Sequence, residues 1–178
     1  MLLWSIARAS ALVAFAAYTG VVIWGMLVAG RAFRPAAPAV AFHRFLAMVG
    51  LVGVVTHVTA IMLDSYAKLS LPALFGIGAK PSVVFGAIAL WLVVTLPLSF
   101  RLRKAKWISQ KVWRGFHWFG YAAWATMLVH GVFSGTDTRS PYAVLLYSAA
   151  GGLVAGAGAW RYLTPGKSVQ RRPQTVSR

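Results

Sequence analysis

The chain of 178 residues has no cysteine and only two acidic residues, Asp64 and Asp137. Without thiols there can be no disulfide, thiolate metal site, iron–sulfur cluster or thioether-attached prosthetic group. No glycine-rich strand–turn–helix pattern occurs either, so no flavin or nucleotide site is expected within the chain. Charged residues make up 11% of the sequence, whereas soluble domains average about a quarter. Histidine is scarce too: there are four, and none lies in a polar connection.

What the chain has in abundance is apolar sequence. Hydrophobic residues account for 59%, and the mean hydropathy is +0.69. Five apolar runs lie at about 9–29, 41–63, 82–100, 115–134 and 141–160, each near the roughly 20 helical residues that cross a bilayer core. They do not alternate apolar with polar as barrel strands do. The expected fold is therefore an all-α integral membrane protein, a bundle of five transmembrane helices. The first run has no basic segment before it, Arg8 being its only early charge, and it exceeds the apolar core of a secretory signal. It is expected to be a retained helix. Residues 1–163 form one membrane domain, and residues 164–178 read as a basic, disordered tail.

The formal net charge of +16 would suit nucleic acid, but its distribution follows the ends of the spans. Arg31, Arg34, Arg44, Arg101, Arg103, Lys104, Lys106, Lys111, Arg114, Arg161, Lys167, Arg171, Arg172 and Arg178 fall on one side. The other side holds Arg8, Lys68, Lys80, Arg139 and both acids. Basic residues accumulate in cytoplasmic loops, which predicts an outside N-terminus and a cytoplasmic C-terminus. The basic face then meets anionic lipid headgroups, and no nucleic-acid partner is expected.

The histidines occupy two of the five runs. His43 and His57 are fourteen residues apart, and His117 and His130 thirteen. The second and fourth spans run in the same direction, so His43 and His117 share one depth and His57 and His130 another, about 20 Å further out at 1.5 Å per residue. Ionisable side chains inside a membrane are costly and mark function by default. Two depth-matched pairs suit two stacked haems, each iron taking one imidazole on either face. A zinc site fits poorly, since neither carboxylate nor thiol accompanies the pairs. Fourteen residues return to within about 40° of the same helix face, but thirteen leave about 140°. The fourth span is therefore expected to be distorted, with Gly115 and Gly120 as sites for it, or to meet the haems obliquely. Gly50 and Gly53, on the stripe joining His43 to His57, serve either close approach of a macrocycle or ordinary helix packing.

The His-x13-His and His-x12-His spans, the Trp113–Arg114 pair before the third histidine and the Ser134–Asp137 stretch after the fourth resemble the ferric reductase-like transmembrane domain family. This is the di-haem core of ferric reductases and NADPH oxidases, and the similarity runs over about residues 5–163. It implies two non-covalent b-type haems, an inner one on His43 and His117 and an outer one on His57 and His130. It also implies electron flow from a cytoplasmic donor to ferric iron, oxygen or a partner outside. Full-length members append a flavin and NADPH module that this chain lacks. A small relative, the haem subunit of a periplasmic methionine sulfoxide reductase, also lacks it and serves a separate acceptor protein. The resemblance therefore implies an oxidoreductase or electron-transfer subunit of the bacterial inner (plasma) membrane, with a separate flavoprotein or quinol as donor.

Other side chains carry lesser expectations. Arg44 and Arg114 are candidates to pair with propionates of the inner haem, as arginine binds carboxylates bidentately. Lys80 and Arg139 are weaker candidates outside. Trp124, between the two histidine depths, either bridges the haems or packs. Trp4, Trp107, Trp113 and Trp160 read as interface anchors, and Gly152 and Gly156 as a close-packing pair. Asp64 and Asp137 are either cation ligands at the outer mouth or solvated loop acids. Two other functions compete: a quinol-linked cytochrome b subunit of a larger periplasmic reductase, and a haem-free membrane scaffold or small transporter.

Overall fold

The computed structural model describes residues 2–30, 37–65, 67 and 69–164. Among them are five long helices, α1 (Leu2–Ala29), α2 (Ala37–Leu63), α3 (Pro81–Lys104), α4 (Gln110–Ser134) and α5 (Pro141–Leu163), and a short 3-10 turn at Leu71–Phe75 between α2 and α3. Arg31, Arg34, Lys68, Lys167, Arg171, Arg172 and Arg178, and nearly all of the expected tail, lie outside the described residues.

The helix starts follow the local chemistry. Pro81 and Pro141 open α3 and α5, where a fixed φ and a missing N–H cost nothing. Ser109 caps α4, its hydroxyl accepting from the Val112 N–H at 3.2 Å. The 3-10 turn stops at Gly76, whose φ of 77° is left-handed and suits a residue with no Cβ.

Four helices, α1, α2, α3 and α5, are long and apolar enough to cross a membrane. The fifth expected span, α4, has the length, 25 residues, but not the hydropathy. Lys111, Arg114, His117, Tyr121 and His130 lie within it, so the residues that make α4 interesting also lower its apolar content. Burial elsewhere is inverted relative to a soluble protein. Small residues such as Ala7, Ala14, Ala60, Ala89 and Ala150 are buried, while Phe45, Val52, Leu98, Phe133, Leu145 and Leu153 are exposed. Small residues let helices approach closely where no water drives them together, and the bulky rim suits lipid.

Successive helices run in opposite directions. At one end Trp24 donates to the Ala39 carbonyl and Arg161 to the Tyr121 hydroxyl. At the other, Arg8 pairs with Asp137, which also accepts from Tyr142. Arg44, Arg101, Arg103, Lys104, Lys106, Lys111, Arg114 and Arg161 gather at the first, basic end; both acids lie at the far end. Packing is pairwise: α1 lies mainly on α2 and α3 mainly on α4, with α1 also touching α4 and α5. The α2 and α4 backbones are barely in contact. An apolar layer of Ala14, Tyr18, Val54, Val93 and Ala123 crosses the middle of the bundle.

Gly50 and Gly53 belong to the α1–α2 packing. A Cβ at Gly50 would lie 2.7 Å from the Tyr18 ring, and one at Gly53 would lie 3.0 Å from the Ala14 Cβ. These glycines admit a neighbouring helix, so of their two expected roles helix packing is the one the contacts support.

Candidate functional site: two imidazole pairs

Helices α2 and α4, though their backbones stay apart, bring their histidines together in two places. The rings of His43 and His117 have centres 6.0 Å apart at the basic end. Those of His57 and His130 are 6.2 Å apart at the far end. The pairs are the ones that depth matching expects. Two imidazoles on opposite faces of one metal ion, each about 2 Å from it through a ring nitrogen, place their ring centres roughly 6 Å apart. The ring planes are inclined by 51° and 69°, which such an arrangement allows because each ring can turn about its metal–nitrogen axis.

At the far-end pair the ring orientation is fixed from behind. His57 Nδ1 is 2.8 Å from the Ala7 carbonyl of α1, and His130 Nδ1 is 2.8 Å from the Ser82 carbonyl of α3. A carbonyl only accepts, so Nδ1 carries the proton in both rings and Nε2 keeps its lone pair. Metal-binding histidines are commonly held this way, with the non-ligating nitrogen donating to a backbone carbonyl. Both rings line an apolar cleft of about 120 Å³, together with Phe15, Leu90, Met127 and Tyr147.

The thirteen-residue spacing is accommodated without a break. Helix α4 runs continuously from Gln110 to Ser134, so no interruption occurs at Gly115 or Gly120. Instead His130 leans onto α3 at Gly86, where a Cβ would lie 2.7 Å from His130 Nδ1 and 2.8 Å from its Cε1. The missing side chain at position 86 gives the ring its place. Gly86 was not foreseen, because a lone glycine in an apolar run reads as routine packing.

The basic-end pair has different surroundings. His43 lies against Gly25 of α1, and its buried Nδ1 makes no hydrogen bond of good geometry. The Trp113 ring is centred 5.2 Å from that of His117, one helical turn away on the same face. Trp113, expected as an interface anchor, therefore also packs within the site. Arg44 stacks over Phe100 with 4.9 Å to the ring centre, beside the pair. Arg114 is exposed and joins no part of the cluster. Arg103, which the sequence offered only as a topology charge, lies over both Phe100 and Trp113.

Elsewhere the outcomes vary. Lys80 and Arg139 are exposed. Trp124 donates to Thr19 at 3.0 Å and stacks on Phe15, at mid-depth between the pairs. Trp160 meets Gly30, and Trp107 is exposed. Asp137 is engaged by Arg8 and Tyr142, and Asp64 accepts from the Ala67 N–H at 3.0 Å, so each acid has its own partners. No group of three or more His, Asp or Glu side chains that could hold a metal ion occurs among the described residues. Each imidazole pair thus has no third His, Asp or Glu grouped with it among the described residues. The chain matches no known family model, no curated protein and no solved structure.

Proposed function

We propose that the chain is a transmembrane electron conduit carrying two b-type haems, one between His43 and His117 and the other between His57 and His130. The observation that supports this most is the pairing itself: two imidazoles brought together, twice, at a spacing suited to one metal ion, with no third His, Asp or Glu grouped with them among the described residues. A zinc ion would want three or four protein ligands. A porphyrin brings its own four nitrogens and needs from the protein only the two axial positions. The α2 and α4 backbones hardly approach one another, and the far-end rings line an apolar cleft, surroundings that suit a largely apolar group. The haem iron would supply one-electron redox chemistry. The chain's residues bind it, fix the imidazole tautomer through the Ala7 and Ser82 carbonyls, and keep water from the layer between the two levels.

On this reading all five long helices span the bilayer, with the basic end cytoplasmic, so electrons enter at His43 and His117 and leave at His57 and His130. The resemblance to the ferric reductase-like transmembrane domain points to the same direction of flow. The donor is then a separate flavoprotein or quinol, and the acceptor is ferric iron, oxygen or a periplasmic protein.

Haem content tests the proposal. Protein purified from haem-replete cells should carry two haems per chain, show a reduced b-type spectrum and release all its haem into acid acetone. Less than one haem per chain by pyridine haemochrome would sink the reading. Orientation is tested separately. A reporter fused after Arg178 should be active only if it works in the cytoplasm; a periplasmic reporter active there would reverse the direction of electron flow.

A further inference from the structure

Four buried side-chain nitrogen or oxygen atoms among the described residues make no hydrogen bond of good geometry: His43 Nδ1, Arg103 Nε, Trp113 Nε1 and Ser134 Oγ, of which His43 has the Val21 backbone nearby. Three of the four belong to one cluster at the basic-end pair. The Arg103 guanidinium lies 4.7 Å above the Trp113 ring and 5.3 Å above Phe100, and Trp113 stacks beside His117. Buried donors in native proteins nearly always find an acceptor, and leaving one unpaired costs about 1–3 kcal/mol. Stacking on an aromatic face stabilises the cation but accepts nothing from its in-plane N–H groups.

The charges point the same way. Arg44 and Arg103 share the Phe100 ring, and both acidic residues lie at the opposite end of the bundle. One terminal nitrogen of Arg103 donates to Gln110 Oε1 at 2.6 Å, which anchors the fork and leaves Nε aimed elsewhere. Two guanidiniums beside one ring, an indole N–H and no carboxylate make a site for an anion.

We propose that Arg103 and Trp113 form a carboxylate-binding subsite that takes a propionate of the haem held by His43 and His117, with Arg44 as a second cation. The inference rests on the haem reading above. Guanidinium binds carboxylate in a planar, charge-assisted fork, and indole offers a single donor. Phosphate from a lipid headgroup would satisfy the same chemistry. The unpaired Nε and Nε1 atoms are buried, however, and Trp113 lies beside His117, which favours a carboxylate carried by the haem over a headgroup at the exposed Arg101 and Lys104.

The test uses the full-length apoprotein in detergent, titrated with haem b and with its dimethyl ester, whose propionates can neither carry charge nor accept a salt-bridging fork. The component lost in His43→Ala reports the basic-end site, and occupancy at His57 and His130 reports intact folding. Arg103→Gln should weaken haem at the basic-end site by about tenfold or more, the scale of one charge-assisted hydrogen bond. The ester should bind wild type and Arg103→Gln within about twofold of each other, and Trp113→Phe should show the same ligand dependence to a lesser degree. Equal losses for haem and ester would make Arg103 a packing residue and overturn the subsite, as would no loss for either. A difference that appears only with anionic phospholipid, and equally for both ligands, would assign the donors to a headgroup and also overturn it. If wild type takes up no haem at all, the conduit reading falls and the subsite with it; if both haems bind and the ligand comparison is flat, only the subsite falls.

Discussion

His57→Ala and His130→Ala should each abolish one and the same haem component, and His43→Ala and His117→Ala should each abolish the other. The 6.0 Å and 6.2 Å ring separations make each pair a unit, because a haem held there would lose one of its two protein ligands with either imidazole. The pairs cannot substitute for one another. Fourteen residues along α2 separate His43 from His57, about 20 Å of helix, and the layer of Ala14, Tyr18, Val54, Val93 and Ala123 lies between. Changing only the hydrogen-bond partner of a metal-binding histidine typically costs about 10–100-fold in affinity; deleting the imidazole should cost more and empty the site. The far-end variants should still take electrons from a cytoplasmic donor into the remaining haem, yet fail to pass them to an outside acceptor. Optical redox titration of the four variants checks this. If His43→Ala and His57→Ala deplete the same component, the haems do not bridge α2 and α4.

Much of this geometry was legible in the sequence because membrane helices reduce a fold to depth. Rise per residue and a count of spans suffice to match His43 with His117 and His57 with His130, and the five expected runs coincide with the five long helices. The helix ends extend past the apolar runs at the basic end, α3 through Arg101–Lys104 and α4 from Gln110, since long basic side chains can carry their charge to the interface while the backbone stays helical. The 3-10 turn at Leu71–Phe75 was not foreseen, because a five-residue apolar stretch without periodicity gives no signal.

Lateral arrangement was not legible. The apolar stripes run all round these helices, so nothing in the sequence says that α1 pairs with α2 and α3 with α4. Gly50 shares a stripe with His43 and His57, yet Tyr18 of α1 fills the space beside it. Arg114 is close to His117 in sequence, whereas Arg103 reaches the cluster across the α3–α4 hairpin, a contact that no local spacing encodes. Trp113 carries a local signal for its contact: it lies four residues before His117, hence on the same face.

Gly86→Ala should remove the far-end haem selectively. The new Cβ would lie 2.7, 2.8 and 3.0 Å from Nδ1, Cε1 and Cγ of His130, so it meets the ring itself and not the tip of a flexible chain. The ring cannot retreat freely, because its Nδ1 donates to the Ser82 carbonyl one turn earlier on the same helix. Either that bond breaks or the ring tilts, and both change the direction of the Nε2 lone pair. Loss of the orienting hydrogen bond alone is worth about 10–100-fold in metal affinity, and misdirection of the lone pair adds to it. The basic-end component should keep its wild-type occupancy and potential. Gly50→Ala provides the contrast, since its Cβ strikes the Tyr18 ring between α1 and α2. Overpacking of that kind costs about 1–3 kcal/mol, and it should lower the thermal stability of the whole bundle, so that both haem components are lost together on heating. Haem content and component-resolved spectra of the two variants, measured at a temperature where both are folded, separate the effects. Wild-type far-end occupancy in Gly86→Ala would mean that His130 does not take its orientation from α3, and the account of how a thirteen-residue spacing meets a fourteen-residue one would fail.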